Sequence, residues 1–272
     1  MTVDVGVIPG RRPVSEALRA GRPLVEVVVD RKRADKLANV IGAAEQAGVA
    51  VRRAGVDELD DLTGGVGHQG VVARARPQPA AGVADLDGDL VVVLDGITDP
   101  QNLGAIARAA EVAGAAGLVL PRRRSAHQSP AAEKTSAGAL SWLPVVVVSN
   151  IAMALGQLAE AGYWSVGLDG DAAASVWESQ LLDGRVALVI GAEGRGLSRL
   201  VSERVDELVA IPMRGHVHAL NASTAAAVAL FEVVRRRAAS PSTGRGEPGI
   251  SSGTPYPSGS RRPARPPGQN GS

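Results

Sequence analysis

Between Leu90 and Ile211 the chain carries a succession of short apolar runs: Leu90–Leu94, Gly117–Leu120, Val145–Val148, Trp164–Leu168, Val186–Ile190 and Leu208–Ile211. Runs this short, rich in Val and Leu and nearly free of polar alternation, are the mark of strands buried on both faces. Helical spacing fills the intervals, over Asn102–Ala113 and Ile151–Ala161, and a further helix is expected over Ser223–Arg237. Apolar strands alternating with helices predict an α/β protein built on a mostly parallel sheet covered on both sides. Hydrophobic residues make up 45% of the chain but aromatics only 2%, so Ala, Val and Leu must fill the core by close packing.

Ahead of this region, residues 1–77 read as a separate small α/β domain. Strands are expected at Leu24–Val29, Val49–Arg52 and Val71–Ala73, with a helix over Ala34–Ala47 closed by Gly48. Two further segments stand out there: Gly10-Arg-Arg-Pro-Val-Ser-Glu-Ala-Leu18, which opens a helix, and Gly67-His-Gln-Gly-Val71, a turn before a strand. Residues 78–88, rich in Pro, Ala, Gly and Asp, read as a linker to a larger domain over 89–237. From 238 to 272 Gly, Pro and Ser dominate, and this tail, with Arg261, Arg262 and Arg265, is expected to be disordered.

Charge and cysteine content narrow the function classes. The formal net charge is +1, with mildly basic ends and a mildly acidic middle, a bias compatible with nucleic-acid contact through the flanks. The absence of Cys excludes disulfides and thiolate metal sites. No apolar run approaches membrane length, so a soluble cytoplasmic protein is expected.

Three segments place backbone amides, glycines or polar side chains where hydrophobic elements end. The first, Asp99-Pro-Gln-Asn-Leu-Gly-Ala-Ile-Ala-Arg108, is a turn with Asn102 as candidate N-cap of the following helix. Leu103, Ile106, Ala107 and Ala110 form that helix's apolar stripe, and Arg108 lies off it, three residues before Glu111 and so placed for a surface pair. The second, Gly191-Ala-Glu-Gly-Arg-Gly196, follows an apolar strand, and its glycines permit positive φ and close backbone approach to a ligand. Such a turn also suits dinucleotide or phosphate loops, but its spacing is not GxGxxG and the chain contains no GxxxxGK[ST]. Glu193 within it repels phosphate and suits a cationic ligand. In the third, Ile211-Pro-Met213 leaves the sheet at a residue without an N–H donor, and Leu220-Asn-Ala-Ser223 leads into the last helix with Asn221 or Ser223 as cap. His216 and His218 form a His-x-His with no evident third ligand, and no metal is assigned.

In order and spacing these segments resemble the SpoU/TrmH family of RNA ribose 2′-O-methyltransferases, within the SPOUT superfamily. Asp95-Gly-Ile-Thr-Asp-Pro-Gln-Asn-Leu-Gly104, together with the two N-terminal segments, is similar to the branch acting on a guanosine of bacterial 23S rRNA. The resemblance covers about residues 5–237. It implies a small substrate-binding domain ahead of an α/β catalytic domain with a C-terminal trefoil knot, S-adenosyl-L-methionine as cofactor, RNA as substrate and a homodimer. It also implies Arg108, Asn102, Glu193 and Asn221 as catalytic residues, and Gly191, Ile211, Leu220, Gly194 and Met213 as cofactor-binding residues. Ala219 departs from the Ser usual before Leu-Asn in the family. The same chemistry on another rRNA site or on tRNA stays open at this point, as does a non-catalytic RNA-binding or ribosome-assembly role.

Overall fold

The computed structural model describes residues 5–216 and 219–239; His218 and the arginines of the expected tail lie outside that range. The N-terminal region contains β1 (Gly6–Pro9), α1 (Arg11–Arg19), β2 (Leu24–Asp30), α2 (Ala38–Gln46), β3 (Ala50–Ala54), α3 (Val56–Thr63) and β4 (Val71–Ala75). Its sheet has the order β1-β4-β2-β3, with β2 and β3 parallel and the other pairs antiparallel. The helix expected from Ala34 begins instead as a 3-10 turn over Arg31–Leu37. Asp30 fixes this turn by accepting the Lys32 amide at 3.0 Å, and Ala34 and Leu37, three residues apart, face the core.

The second region contains β5 (Leu90–Asp95), α4 (Pro100–Val112), β6 (Gly117–Pro121), α5 (Pro130–Thr135), β7 (Val145–Val148), α6 (Ile151–Glu160), β8 (Trp164–Leu168), β9 (Ala174–Ser175), β10 (Val186–Gly191), α7 (Arg199–Ser202), β11 (Glu207–Ala210) and α8 (Ala222–Ala239). All pairs in its sheet are parallel, in the order β7-β6-β5-β10-β8-β11-β9. Strand β5 shows why its sequence lacks alternation. Leu90, Val92 and Leu94 pack with Leu103, Ile106 and Leu230 of α4 and α8 on one face, while Val91 and Val93 pack with Leu155, Leu158 and Tyr163 on the other. The end of the linker joins the core, since Val83 and Leu86 are buried there. Helix α8 runs through Ala239, two residues past its expected end at Arg237.

The two regions dock through α5 and the turn after it. A Cβ on Gly104 of α4 would lie 2.5 Å from the Ala132 carbonyl oxygen and 2.9 Å from the Ser136 amide, so only glycine lets α5 approach α4 this closely. Helix α5 presents Glu133, which accepts a hydrogen bond from Arg22 at 2.7 Å across the domain boundary, with side chains only 2% and 4% exposed. Burial pushes the Glu133 carboxyl above the ordinary carboxylate range, against the pull of the Arg22 guanidinium. Close by, Gly138 lies against Glu16, and Glu16 accepts a hydrogen bond from the Trp142 indole at 3.2 Å. The two N-terminal segments singled out in the sequence meet at this boundary. The Gly10 amide donates to the Val71 carbonyl and the Arg11 amide to Gln69, and a Cβ on Gly10 would meet the Lys134 amine. His68 is a structural residue of that turn, buried between Asp60 and the Gly70 amide.

Removing one member of a buried ion pair leaves the other charge uncompensated, whereas replacing both with apolar groups is tolerated. Arg22→Ala is therefore expected to destabilise the protein by about 3–5 kcal/mol, and the double variant Arg22→Met/Glu133→Leu to recover most of that loss. Urea unfolding of the single and double variants measures both.

Candidate functional site

Strands β10, β8 and β11 lie side by side and parallel, so the loops leaving their carboxyl ends converge. That is where open parallel sheets bind ligands. A cleft of about 390 Å³ opens there, and Gly191, Glu193, Gly194, Ile211, Met213 and Leu220 all line it. The fold thus brings together the five residues expected to bind the cofactor, along with Glu193.

The loop Ala192–Gly196 is shaped by its own backbone. Ala192 donates to the Gly196 carbonyl at 3.0 Å and Gly196 donates back at 2.8 Å. This bridge presses the returning chain onto Gly191, where a Cβ would stand 2.2 Å from the Gly196 carbonyl carbon. Gly194 and Gly196 have φ of 74° and 64°, the left-handed region that favours glycine. At the neighbouring strand end Asp95 accepts the Ser198 amide at 2.6 Å, tying the outgoing loop to β5.

Asn102 is not the helix cap. Asp99 caps α4 by accepting the Gln101 amide at 2.9 Å, with Pro100 at the first helical position. Asn102 lies buried in the first turn, and its amide donates to Glu193 at 3.3 Å. The first and second sequence motifs are joined by that contact. Asn221 does cap α8, accepting the Ser223 amide at 2.9 Å and the Ser223 hydroxyl at 2.6 Å, and so fixes where Leu220 enters the cleft wall. Arg108 lies outside the cleft lining on the exposed side of α4, and among the described residues it forms no pair with Glu111.

The cleft wall from β8, Leu168-Asp169-Gly170-Asp171, was not anticipated. Its signal was present as a Gly-containing acidic turn at the end of a buried strand, the position from which parallel sheets present ligand groups. The Asp169 carboxylate accepts the Asp171 amide at 2.9 Å and holds the turn closed. Ala219, the departure from the family pattern, also lines the cleft.

A parallel α/β sheet with a glycine-shaped cleft at its carboxyl ends and a small α/β domain docked beside it defines a two-domain ligand-binding scaffold. Comparison with known proteins makes this specific: the chain belongs to the SpoU rRNA Methylase family, whose model matches residues 89–231. Residues 7–81 match the model described as RNA 2′-O ribose methyltransferase substrate binding. The chain is 40% identical over 227 residues to the 23S rRNA (guanosine-2′-O-)-methyltransferase RlmB of Escherichia coli (strain K12), covering 80% of this chain and 93% of that protein. It is also 40% identical over 222 residues to RlmB of Photobacterium profundum, covering 79% and 90%. Among solved structures, the SpoU methyltransferase AviRb from Streptomyces viridochromogenes, in complex with the cofactor AdoMet, superposes with a TM-score of 0.73 at 28% identity, covering 86% of this chain and 91% of that one.

The two glycines of the loop differ in what a side chain would meet. Gly191→Ala drives a methyl into backbone and is expected to cost more than about 2 kcal/mol. Gly194→Ala has open space around it and is expected to cost only about 1 kcal/mol, from its positive φ. Chemical denaturation of the two variants tests that order.

Proposed function

We propose that this chain transfers the methyl group of S-adenosyl-L-methionine to a ribose 2′-hydroxyl of RNA, with a guanosine of 23S rRNA as the substrate. The observation that carries the reading is the convergence of Gly191, Glu193, Gly194, Ile211, Met213 and Leu220 on one cleft, in a chain matching the RlmB relatives over nine-tenths of their length. The cleft has the size of a small-molecule site. Its main-chain walls suit a nucleoside, and Glu193, Asp169 and Asp171 suit a sulfonium cation rather than a phosphate.

When bound, S-adenosylmethionine supplies an electrophilic methyl, so the protein's main task is to align the attacking oxygen with it. Arg108 holds the ribose and the adjacent phosphate and stabilises negative charge developing on the 2′-oxygen. A guanidinium stays protonated in proteins, so Arg108 does not take the hydroxyl proton; that proton passes to water or to an RNA phosphate. Asn102 positions Glu193 through its amide, and Asn221 positions the Leu220 wall by capping α8.

A second copy of the chain completes the site in this reading. Arg108 shares the exposed face of α4 with Val112 one turn on, 63% exposed, and Phe231 on the neighbouring helix α8 is 48% exposed. Exposed apolar residues on two adjacent helices, flanking the candidate catalytic arginine, are the makings of a homodimer face. The same reading divides the chain into an RNA-binding domain over 1–77, a linker over 78–88 and a knotted catalytic domain over 89–237. It places the protein in the cytoplasm with its RNA, in keeping with the lack, among the described residues, of any helix able to cross a membrane.

Arg108→Ala is expected to abolish methyl transfer to 23S rRNA while S-adenosylmethionine binds unchanged by calorimetry; wild-type turnover in that variant would sink the assignment. Phe231→Asp is expected to give a monomer in sedimentation velocity with strongly reduced transfer.

A further inference from the structure

The loop leaving β6 carries three successive arginines, Arg122, Arg123 and Arg124, all exposed. Among the described residues none of their side chains has a hydrogen bond or ion pair, although the protein has nearly equal numbers of basic and acidic groups. Arg124 holds a φ of 57°, a conformation uncommon for a long side chain. The loop separates two openings. On one side Arg123 and Arg124 border a cleft that adjoins the candidate cofactor site through the shared residues Glu193 and Arg195. On the other side Arg122 borders a cleft of about 630 Å³ between the domains, walled by Arg22, Gln128 and Trp142.

The interdomain cleft has two features that docking of the domains leaves unexplained. Trp142 is 48% exposed in a chain with only three Trp, and its indole is fixed in place by Glu16 of the N-terminal domain. In addition, two buried donors at this cleft, Gln128 Nε2 and Arg22 Nε, have no acceptor among the described residues, and buried polar groups are normally paired. A pinned, exposed aromatic face with idle donors beside it and a row of unpaired cations leading to it matches the way single-stranded nucleic acid is held. Bases stack on aromatic side chains while arginines track the phosphates.

We propose that a single-stranded segment of the RNA substrate leaves the methyl-transfer site over Arg124, Arg123 and Arg122 and enters the interdomain cleft. There one base stacks on the exposed face of Trp142. This strand path rests on the RNA methyltransferase reading given above, and it adds a base-binding subsite that the domain boundary itself creates.

The test uses the full-length chain and an unmodified 23S rRNA transcript, with binding measured across a salt series and S-adenosylmethionine affinity measured in parallel. Trp142→Ala is expected to weaken RNA binding roughly tenfold, and Trp142→Phe, which keeps a stacking face but loses the bond to Glu16, to stay near wild type. The triple variant Arg122→Ala/Arg123→Ala/Arg124→Ala is expected to flatten the slope of log K against log salt by about 2, at roughly 0.7 for each phosphate that is no longer neutralised. All variants are expected to bind S-adenosylmethionine like wild type. Two results overturn the strand path alone: variants that match a working wild type in affinity and salt slope, which leaves the cleft to a protein partner, or Trp142→Phe as weak as Trp142→Ala, which assigns Trp142 to domain docking. A wild-type chain that neither binds nor methylates the transcript overturns the methyltransferase reading and the strand path with it.

Discussion

Helix α4 has only a hydrogen atom at Gly104, and the backbone of α5 lies where a side chain would otherwise stand. Much else follows from that contact. It seats α5, whose Glu133 receives Arg22 and so fixes the N-terminal domain. The same α4 carries Asn102, whose amide reaches Glu193 in the loop beyond β10, and it presents Arg108 to the exterior. One helix therefore connects the candidate cofactor loop, the candidate catalytic arginine and the substrate domain. Its position relative to the sheet sets all three at once, through rigid close packing in place of adaptable contacts.

The division of chemistry across the molecule follows its charges. Acidic groups, Glu193, Asp169 and Asp171, gather around the cleft at the carboxyl ends of β10 and β8. Arg122, Arg123 and Arg124, whose side chains have no partner among the described residues, border the neighbouring openings. A chain of net charge +1 has no global field to steer RNA, so local arrays of unpaired guanidinium groups must supply that attraction. The three carboxylates of the candidate cleft, which outnumber the one arginine lining it, Arg195, meanwhile favour a cation over a phosphate there.

The parallel sheet was legible because strands such as Leu90–Leu94 are covered on both faces, and burial on two sides erases polar alternation from the sequence. The convergence of the residues lining the candidate cleft was legible for a related reason. Glycines at a strand end are costly unless the backbone needs them, and Gly191 meets the backbone of Gly196 directly. Short-range competition misled the reading of Asn102, since Asp99 followed by Pro100 is the stronger helix start. The docking role of Gly10, Gly104 and Gly67–Val71 could not be read, because each is explained by a neighbour far away in sequence. Nor could the distance of Arg108 from the cleft, which depends on how α4 rolls against the sheet. The turn Asp169–Asp171 was readable in principle, but a two-carboxylate turn is common enough on surfaces to pass unnoticed.

The buried pair Arg22–Glu133 has a consequence for measurement as well as for stability. A docked geometry that kept both groups buried but moved them apart would leave each charge without water and without a partner. The pair therefore favours the one docked geometry in which the two side chains meet. On the proposed strand path, a nucleotide held at that boundary and a ribose held at the candidate cofactor cleft would sit a fixed distance apart. In that reading the ion pair would make the two domains a gauge of set length, selecting which residue along an RNA strand is presented for reaction by counting from a base that is itself left unchanged.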